Sequence, residues 1–206
     1  MTGYDPLKRS VDLVVGSAAL VVSLPAQLVI AVLLRVKLGP RVFFRQQRPG
    51  KDERVFELVK FRTMLEPDSA RGLVTDADRL TPFGAFLRST SLDELPTLWN
   101  VVRGDMSLVG PRPLLVRYLD RYTAEQRRRH EVRPGVTGLA QVSGRNAISW
   151  EEKFAMDVEY VERRSLALDL QILWATVAQV ARRRDINAEG AATMPEFLGT
   201  SEATRA

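Results

Sequence analysis

The stretch LVVGSAALVVSLPAQLVIAVLL, residues 13–34, decides the fold because it contains no charged side chain. At the helical rise per residue, a segment of this length extends about 33 Å, enough to cross the hydrocarbon core of a bilayer. A cleaved signal peptide is disfavoured, because no convincing small-residue cleavage site follows and a basic stretch continues behind the segment. The sequence therefore predicts a membrane-embedded N-terminal helix.

Pro25 lies near the middle of this segment, and basic residues flank both ends. Proline lacks a backbone N–H and clashes with the preceding turn, so we expect the helix to kink or break near Pro25, with Ser23 and Gln27 satisfying freed backbone groups. The flanking basic residues are Lys8, Arg9, Arg35, Lys37 and Arg41. Because Lys and Arg favour the cytoplasmic side, this arrangement favours a re-entrant helix over a spanning one. Many spanning helices tolerate proline, so that alternative stays open.

The composition restricts the chemistry that the chain can perform. It has 206 residues, enough for one folded domain, and a net charge of +5, which points to an anionic partner. The absence of cysteine excludes disulfides, thiolate catalysis and cysteine-ligated zinc. The single histidine, His130, excludes a multi-histidine metal site. Any bound metal is therefore expected to be a hard cation such as Mg²⁺ or Mn²⁺ on oxygen ligands.

Hydrophobic periodicity predicts an α-dominated α+β fold behind the apolar segment. A small β-hairpin is expected from residues 41–47 and 54–61, because both stretches are β-branched or aromatic and a Pro-Gly turn separates them. A polar loop is expected at 64–82, a turn at 133–138 and an extended piece at 139–142. Helices are predicted at 93–102, 114–129, 150–164 and 166–184. We divide the chain into an anchor (1–38), a catalytic domain (39–185) and a C-terminal tail (186–206).

Two of these helices carry surfaces suited to a membrane. Segment 166–184 is strongly amphipathic and ends in basic residues, so it either packs in the core or lies flat on lipid as an interfacial helix. The basic cluster at 127–129 is expected at a solvated or lipid-facing helix end. Basic residues beside a hydrophobic anchor also indicate contact with anionic lipids.

The stretch Ser91-Leu92-Asp93-Glu94 has a structural and a functional interpretation. Ser91 could cap a helix while Glu94 reaches back, forming a capping box. Pro96 would then fall inside the helix, which requires a shifted or distorted start. In the functional interpretation, Asp93 stays ionised near a helix N-terminus and attacks phosphorus, while Glu94 binds a divalent metal ion. The sequence alone leaves both open.

Basic residues near the carboxylate pair suit phosphate binding. The candidates are Lys60, Arg62, Arg88 and Arg112. The chain contains neither a GxxxxGK[ST] phosphate loop nor a GxGxxG motif, so nucleotide-binding folds of those kinds are not indicated.

Taken together, these motifs resemble the bacterial sugar transferase family, the small monotopic phosphoglycosyl transferases that prime glycan assembly on polyprenyl phosphate. The matching stretches are KFRTM (60–64), LTPFG (80–84), DELP (93–96), GDMSLVGPRP (104–113), RPGVTG (133–138) and QVSGRN (141–146), together with Lys8, Arg9 and Asp12. Their order and spacing cover nearly the whole chain. The chain resembles the short members of that family, and no further membrane segment is expected before residue 1.

The resemblance implies an activity and the residues that carry it. Asp93 would attack the sugar-linked phosphate of a UDP-sugar, release UMP and form a phosphosugar-aspartate intermediate, from which polyprenyl (undecaprenyl) phosphate takes the phosphosugar. Mg²⁺ would sit on Glu94 with Asp93. Anion or nucleotide contacts would come from Arg88, Arg112 and Arg145. The catalytic domain would lie on the cytoplasmic face of the bacterial inner membrane.

The resemblance also bears on the anchor and the tail. It implies a break at a Ser/Pro feature, which falls here on Ser23 and Pro25, separated by Leu24. Residues 189–197 resemble members that handle N-acetylated amino sugars. A homodimer is left open.

The competing hypotheses are a non-enzymatic module that binds anionic lipid or nucleic acid, and a hydrolase of lipid-linked pyrophosphates. Nucleic acid is disfavoured as a partner because aromatic residues do not interleave the basic patches.

Overall fold

The structure is a computed structural model, in which residues 3–144, 148–182 and 196–199 are described. It has the helix-dominated α+β architecture that the sequence predicts. The helices are α1 (Tyr4–Leu38), α2 (Asp76–Arg79), α3 (Pro82–Ser89), α4 (Thr97–Arg103), α5 (Ala124–Arg127), α6 (Leu139–Ser143), α7 (Trp150–Arg163) and α8 (Leu166–Arg182). The strands are β1 (Phe43–Pro49), β2 (Val55–Phe61), β3 (Ser107–Val109) and β4 (Gly135–Thr137). Short 3₁₀ turns cover Lys51–Glu53, Ser69–Arg71, Leu92–Glu94, Val116–Arg121 and Arg128–Glu131.

Helix α1 continues through Pro25, so the prediction of a break in the helix is wrong, while a kink at Pro25 stays a prediction. Nearby polar side chains bond within the helix. Ser23 Oγ donates to the Leu20 carbonyl at 3.0 Å and accepts from Gln27 Nε2 at 2.9 Å. Proline costs the helix one backbone hydrogen bond and one close contact, which a long helix tolerates without changing its secondary structure.

Both ends of α1 pack against the rest of the protein, whereas its middle does not. Gly16 is buried near the N-terminal end, and Ile30, Leu34 and Leu38 are buried near the C-terminal end. Between them the apolar side chains Val21, Val22, Leu24, Leu28 and Val29 are exposed. The helix is long and apolar enough to cross a membrane. Its exposed middle is therefore the apolar surface that a membrane would cover.

Charged side chains near the start of α1 bond to the domain interior. Arg9 donates to the carbonyls of Val101 at 2.7 Å and Val102 at 2.9 Å, near the C-terminal end of α4. Buried Asp12 accepts from Ser107 Oγ and the Leu108 backbone N–H, both at 3.0 Å. These contacts attach α1 to α4 and β3, the two elements that flank the carboxylate pair and Arg112.

The predicted hairpin is confirmed: β1 pairs antiparallel with β2, and β1 is shifted by two residues, to 43–49 from the expected 41–47. Alternate residues of the two strands point to one face, because side chains alternate along a strand. That face carries Phe44, Gln46, Arg48, Leu58 and Lys60, which line one large cavity. A second, parallel pair, β3 with β4, was not predicted. The segment 133–138, which was predicted to be a turn, therefore leads into strand β4.

Three local predictions are wrong. Segment 114–129 is divided into a 3₁₀ turn and α5, because Tyr122 is extended and Thr123 starts a new helix through a capping box with Gln126. Segment 139–142 is helical, as part of α6. The 64–82 loop contains α2, which Thr75 and Asp78 cap reciprocally.

Helices α7 and α8 confirm the two C-terminal predictions. Buried Tyr160, Val161 and Ile172 join them to the main core. On α8 the predicted apolar stripe is largely exposed rather than packed in the core: Leu166, Leu170, Trp174 and Val177 are 39–77% exposed. The interfacial alternative therefore fits the exposure of α8. The tail from 186 lies outside the described residues except for Glu196–Gly199, where Phe197 is buried among aromatic rings.

Candidate active site

The carboxylates Asp93 and Glu94 lie on a 3₁₀ turn, not at the capped start of a helix. Ser91 makes no capping hydrogen bond through its side chain and is left-handed, with φ of 56°, so the capping-box interpretation is wrong. Helix α4 begins only at Thr97, and Pro96 precedes it at the N-cap. This shift resolves the conflict that Pro96 created, since its missing N–H falls where no intrahelical bond is needed.

Replacing Ser91 by glycine is expected to stabilise the protein by about 0.5–1 kcal/mol, because a left-handed conformation is costly for a residue with a Cβ. Thermal unfolding in detergent micelles measures the change. Ser89→Gly in helix α3 is the matched control and should destabilise by about 1 kcal/mol. Equal destabilisation by both variants would contradict backbone strain at Ser91.

Two basic side chains hold Glu94 in place. Lys60 of β2 donates to Glu94 Oε1, and Arg112, in the loop after β3, donates to the same oxygen at 3.0 Å. Burial alone would raise the pKa of Glu94, but the charges of Lys60 and Arg112 outweigh it and lower that pKa to about 2. Glu94 is therefore ionised throughout the physiological range.

For Asp93, the effects that raise the pKa outweigh those that lower it. Burial, followed by the neighbouring charge of Glu94, raises the pKa of Asp93 to about 6, against the lowering effects of Lys60, Arg112 and Arg88. Asp93 is thus ionised at neutral pH but poorly stabilised as an anion. A carboxylate in that condition is a stronger nucleophile than one held in a tight ion pair.

The structure distributes the other predicted residues unevenly. Arg88 of α3 donates to Thr63 Oγ1 at 2.9 Å and lies close enough to Asp93 to lower its pKa. Arg62 is buried and donates instead to the Leu38 carbonyl, where it caps the end of α1, and it also pairs with Glu66 at 3.1 Å. Its role in phosphate binding stays a prediction.

Arg145 lies outside the described residues, as does residue 189 and most of the tail motif. The predicted role of Arg145 as an anion contact therefore stays a prediction.

The sequence missed a buried ion pair that supports Arg112. Arg129 is 3% exposed and donates to Asp157 Oδ2 at 2.7 and 3.0 Å. It also donates to the Arg112 carbonyl at 2.7 Å. Arg129 is therefore not the solvated or lipid-facing residue that its basic cluster suggested. The only available signal was a triplet of arginines, which does not show that the third one is buried.

A cavity of about 1260 Å³ opens beside the carboxylate pair. Its lining includes Lys60, Arg62, Arg88, Asp93, Glu94, Arg112 and Trp150. This volume is large enough for a nucleotide-sized ligand. Four of the predicted site residues, together with both carboxylates, thus face one space.

The carboxylate pair fits Mg²⁺ only together with a phosphorylated substrate. Among the described residues, no group of three acidic or histidine side chains could hold a metal on its own. Mg²⁺ is commonly bound by one or two carboxylates plus substrate phosphate oxygens. Asp93 and Glu94 carry such oxygens. Lys60 and Arg112 both donate to Oε1 of Glu94, so Oε2 of Glu94 remains for a metal ion.

Fold and site together define a protein with a long apolar N-terminal helix and a cavity where carboxylates face basic side chains. Comparison with known families then identifies it further. The family described as bacterial sugar transferase matches residues 3–183, and the chain belongs to that family.

Individual relatives agree with this assignment. The chain is 49% identical over 197 residues to an uncharacterized sugar transferase, EpsL, of Bacillus subtilis (strain 168), covering 95% of this chain and 98% of that protein. It is 43% identical over 188 residues to a UDP-glucose:undecaprenyl-phosphate glucose-1-phosphate transferase of Caulobacter vibrioides, covering 84% and 69%. It is 41% identical over 195 residues to a UDP-galactose-lipid carrier transferase of Erwinia amylovora, covering 86% of this chain but 41% of that longer protein.

Proposed function

We propose that this protein is a phosphoglycosyl transferase that moves a sugar-1-phosphate from a UDP-sugar to polyprenyl phosphate and releases UMP. The observation that carries the proposal is the unequal carboxylate pair, in which Glu94 is fixed by two cations and Asp93 is left as a reactive anion. The named activities of the Caulobacter and Erwinia relatives supply the substrate classes.

In the first step, a carboxylate oxygen of Asp93 attacks the phosphorus attached to the sugar. The bond from that phosphorus to the bridging oxygen of the diphosphate breaks, and UMP leaves with the electron pair. In this proposal Arg88 and Arg112, which line the same cavity as Asp93, bind the phosphoryl oxygens, where charge accumulates in the transition state. Asp93 and Glu94, together with the diphosphate oxygens, would hold Mg²⁺, which would neutralise further charge.

In the second step, a phosphate oxygen of the polyprenyl phosphate attacks the same phosphorus and displaces Asp93. Lys60 and Arg112 keep Glu94 ionised and fixed beside the reacting group throughout. A hydrolase would use water in this step instead. The two activities are separated by whether UMP release continues after one turnover without a lipid acceptor.

The experiment that tests the proposal combines these two steps. Purified protein is mixed with Mg²⁺ and a panel of UDP-sugars, including UDP-glucose, UDP-galactose and UDP-linked N-acetylated amino sugars, with and without polyprenyl phosphate. We expect one equivalent of UMP without acceptor, a phosphosugar mass shift on the peptide containing Asp93, and continuous UMP release with acceptor. UMP release with no adduct on Asp93 would refute the covalent mechanism.

Adduct formation is expected to depend on pH through Asp93. Because burial raises the pKa of Asp93 to about 6, the single-turnover rate should fall roughly tenfold per pH unit below that value and level off above it. Arg112→Gln should move this limb to higher pH, since the Arg112 charge lowers the pKa of Asp93. Quenched-flow measurements from pH 5 to 8 test both. A rate that is constant down to pH 5 would contradict a raised pKa for Asp93 in the substrate complex.

We further propose that α1 is re-entrant and that the domain lies on the cytoplasmic face of the bacterial inner membrane. The support is that both ends of α1 pack on the same domain while its middle exposes apolar side chains. Exposed Arg35, Lys37 and Arg41 favour the cytoplasmic side.

Labelling of single cysteines tests this topology in a chain that has no cysteine of its own. Gly3→Cys and Arg54→Cys place thiols before and after α1. Nothing lies within 4 Å of a Cβ added at Gly3. We expect both thiols to resist an impermeant maleimide in sealed right-side-out vesicles and to react after lysis. Labelling of Gly3→Cys alone from outside would show that α1 spans the membrane.

A further inference from the structure

Most basic residues that line the cavity are paired with an acid of the same cavity. The pairs are Arg62 with Glu66, Arg79 with Asp76, Arg117 with Glu196, Arg129 with Asp157, and Lys60 and Arg112 with Glu94. Within the described part of the chain, Arg48 and Arg88 line the cavity without an ion pair. Arg88 acts on Asp93 electrostatically, which leaves the charge of Arg48 without an acidic counterpart.

Arg48 lies on the cavity face of the hairpin, at the opposite end from Lys60. It pairs across the strands with Phe56, whereas Lys60 pairs with Phe44, a separation of about 13 Å along the sheet. Arg48 Nη2 donates to Gln46 Oε1 at 2.5 Å, while the buried Nε has no hydrogen-bond partner. A buried guanidinium N–H without a partner is costly, so the protein's own groups leave the Arg48 guanidinium incompletely satisfied.

Arg112 and Lys153 line the same cavity, and the charge of Arg112 acts on both Arg48 and Lys153. Burial, followed by the charge of Arg112, lowers the pKa of Arg48 to about 10. The same two causes lower the pKa of Lys153 on α7 to about 8, and its Nζ lies 5.3 Å from the centroid of the Trp150 ring. Like charges crowded beside one cavity are stabilised by a bound anion.

We propose that Arg48, Arg112 and Lys153 form a subsite for a phosphate monoester, separate from the Lys60 and Arg88 end of the cavity. The proposal rests on the proposed function, which brings two such groups to this protein: the phosphate of UMP and that of the polyprenyl acceptor. Arg112 belongs to both ends, because it also holds Glu94. Arginine suits this task, since its planar donors match the oxygens of a phosphate.

The test compares Arg48→Gln and Lys153→Gln with Arg54→Gln, a control at an exposed arginine that follows the hairpin turn. Isothermal titration calorimetry gives the Kd for UMP, and steady-state kinetics gives the KM for polyprenyl phosphate. We expect Arg48→Gln and Lys153→Gln to raise one of these constants about tenfold, while Arg54→Gln changes neither. Thermal unfolding verifies that each variant is folded, and Arg48→Lys, which keeps the charge, should retain part of the affinity.

The pattern of changes identifies the occupant. A higher Kd for UMP with an unchanged KM for the lipid assigns the subsite to the nucleotide, and the reverse assigns it to the acceptor. Unchanged values for both in folded Arg48→Gln and Lys153→Gln would overturn the subsite. UMP binding requires no turnover, so this result is independent of adduct formation on Asp93, whose absence would refute the proposed function instead.

Discussion

Asp93→Asn is expected to reduce turnover about 10⁴-fold or more while raising the thermal stability of the protein. The amide keeps the shape of the side chain but cannot attack phosphorus, so adduct formation should be lost with the activity. The gain in stability has a separate cause. The native pKa of Asp93, about 6, lies above its usual value of 3.8, so its charged form is disfavoured in the folded protein.

The sign of this effect follows from proton linkage. Between pH 3.8 and about 6 the native state holds more protons on Asp93 than the unfolded state does, so stability falls as the pH rises through this window. Above pH 6 the full cost of ionising Asp93 remains, about 1–3 kcal/mol. The neutral asparagine avoids that cost, so Asp93→Asn should unfold several degrees higher at pH 8 than the wild type and show no such gain at pH 4.

Two measurements decide the matter, UMP release under saturating substrates and thermal unfolding at pH 4 and pH 8. Asp120→Asn, at an exposed aspartate, is the control and should change neither. Near-normal turnover of Asp93→Asn would remove Asp93 from the mechanism. A loss of stability of Asp93→Asn at pH 8 would show that neighbouring groups stabilise the Asp93 charge in the folded protein.

The site was largely predictable from sequence because its key residues fall in short, ordered motifs. Asp93, Glu94, Lys60, Arg88 and Arg112 were all chosen by residue type and context, and the structure brings them to one cavity. Their unequal roles were not predictable. Whether a carboxylate is paired or left reactive depends on side chains that are distant in sequence, such as Lys60, which is 34 residues from Glu94.

The same distinction applies to the fold. Helices α7 and α8 and the hairpin were predictable because hydrophobic periodicity is a local signal. The β3–β4 pair was missed because three-residue strands carry no periodicity, and they pair only through a contact that is distant in sequence. Residues 139–142 were expected to be extended and are helical, since tertiary contacts override weak local preferences. Pro25 shows the same limit for a strong local signal: proline disfavours a helix, yet the long helix α1 continues through it.

Asp169 illustrates how a residue with no local signal can determine the stability of the whole anchor. It is 5% exposed, near the start of α8, and accepts hydrogen bonds from Lys8 and from the hydroxyls of Tyr4 and Tyr160, the latter two at 2.7 Å. Lys8 is also buried, at 9% exposure. Helix α1 is thus joined to α7 and α8 through the Asp169 carboxylate.

Asp169→Ala is expected to destabilise the protein by about 3–5 kcal/mol, because it leaves the Lys8 ammonium buried without its carboxylate. In thermal unfolding this corresponds to a decrease in Tm of roughly 10 °C. Glu159→Ala is the matched control: it breaks a largely exposed ion pair with Arg163 and should cost under about 1 kcal/mol. Equal effects of the two variants would contradict a buried, structural pair.

Replacing both partners separates the contribution of the pair from the cost of leaving one charge alone. The double variant Lys8→Met with Asp169→Leu removes both buried charges and should recover most of the stability that Asp169→Ala loses. Lys8→Met alone should be as destabilising as Asp169→Ala, since Asp169 then lacks its cation. If the double variant is as unstable as Asp169→Ala, the tyrosine hydroxyls rather than the ion pair hold α1 on the domain, because their bonds to Asp169 are lost in both of these variants and kept in Lys8→Met.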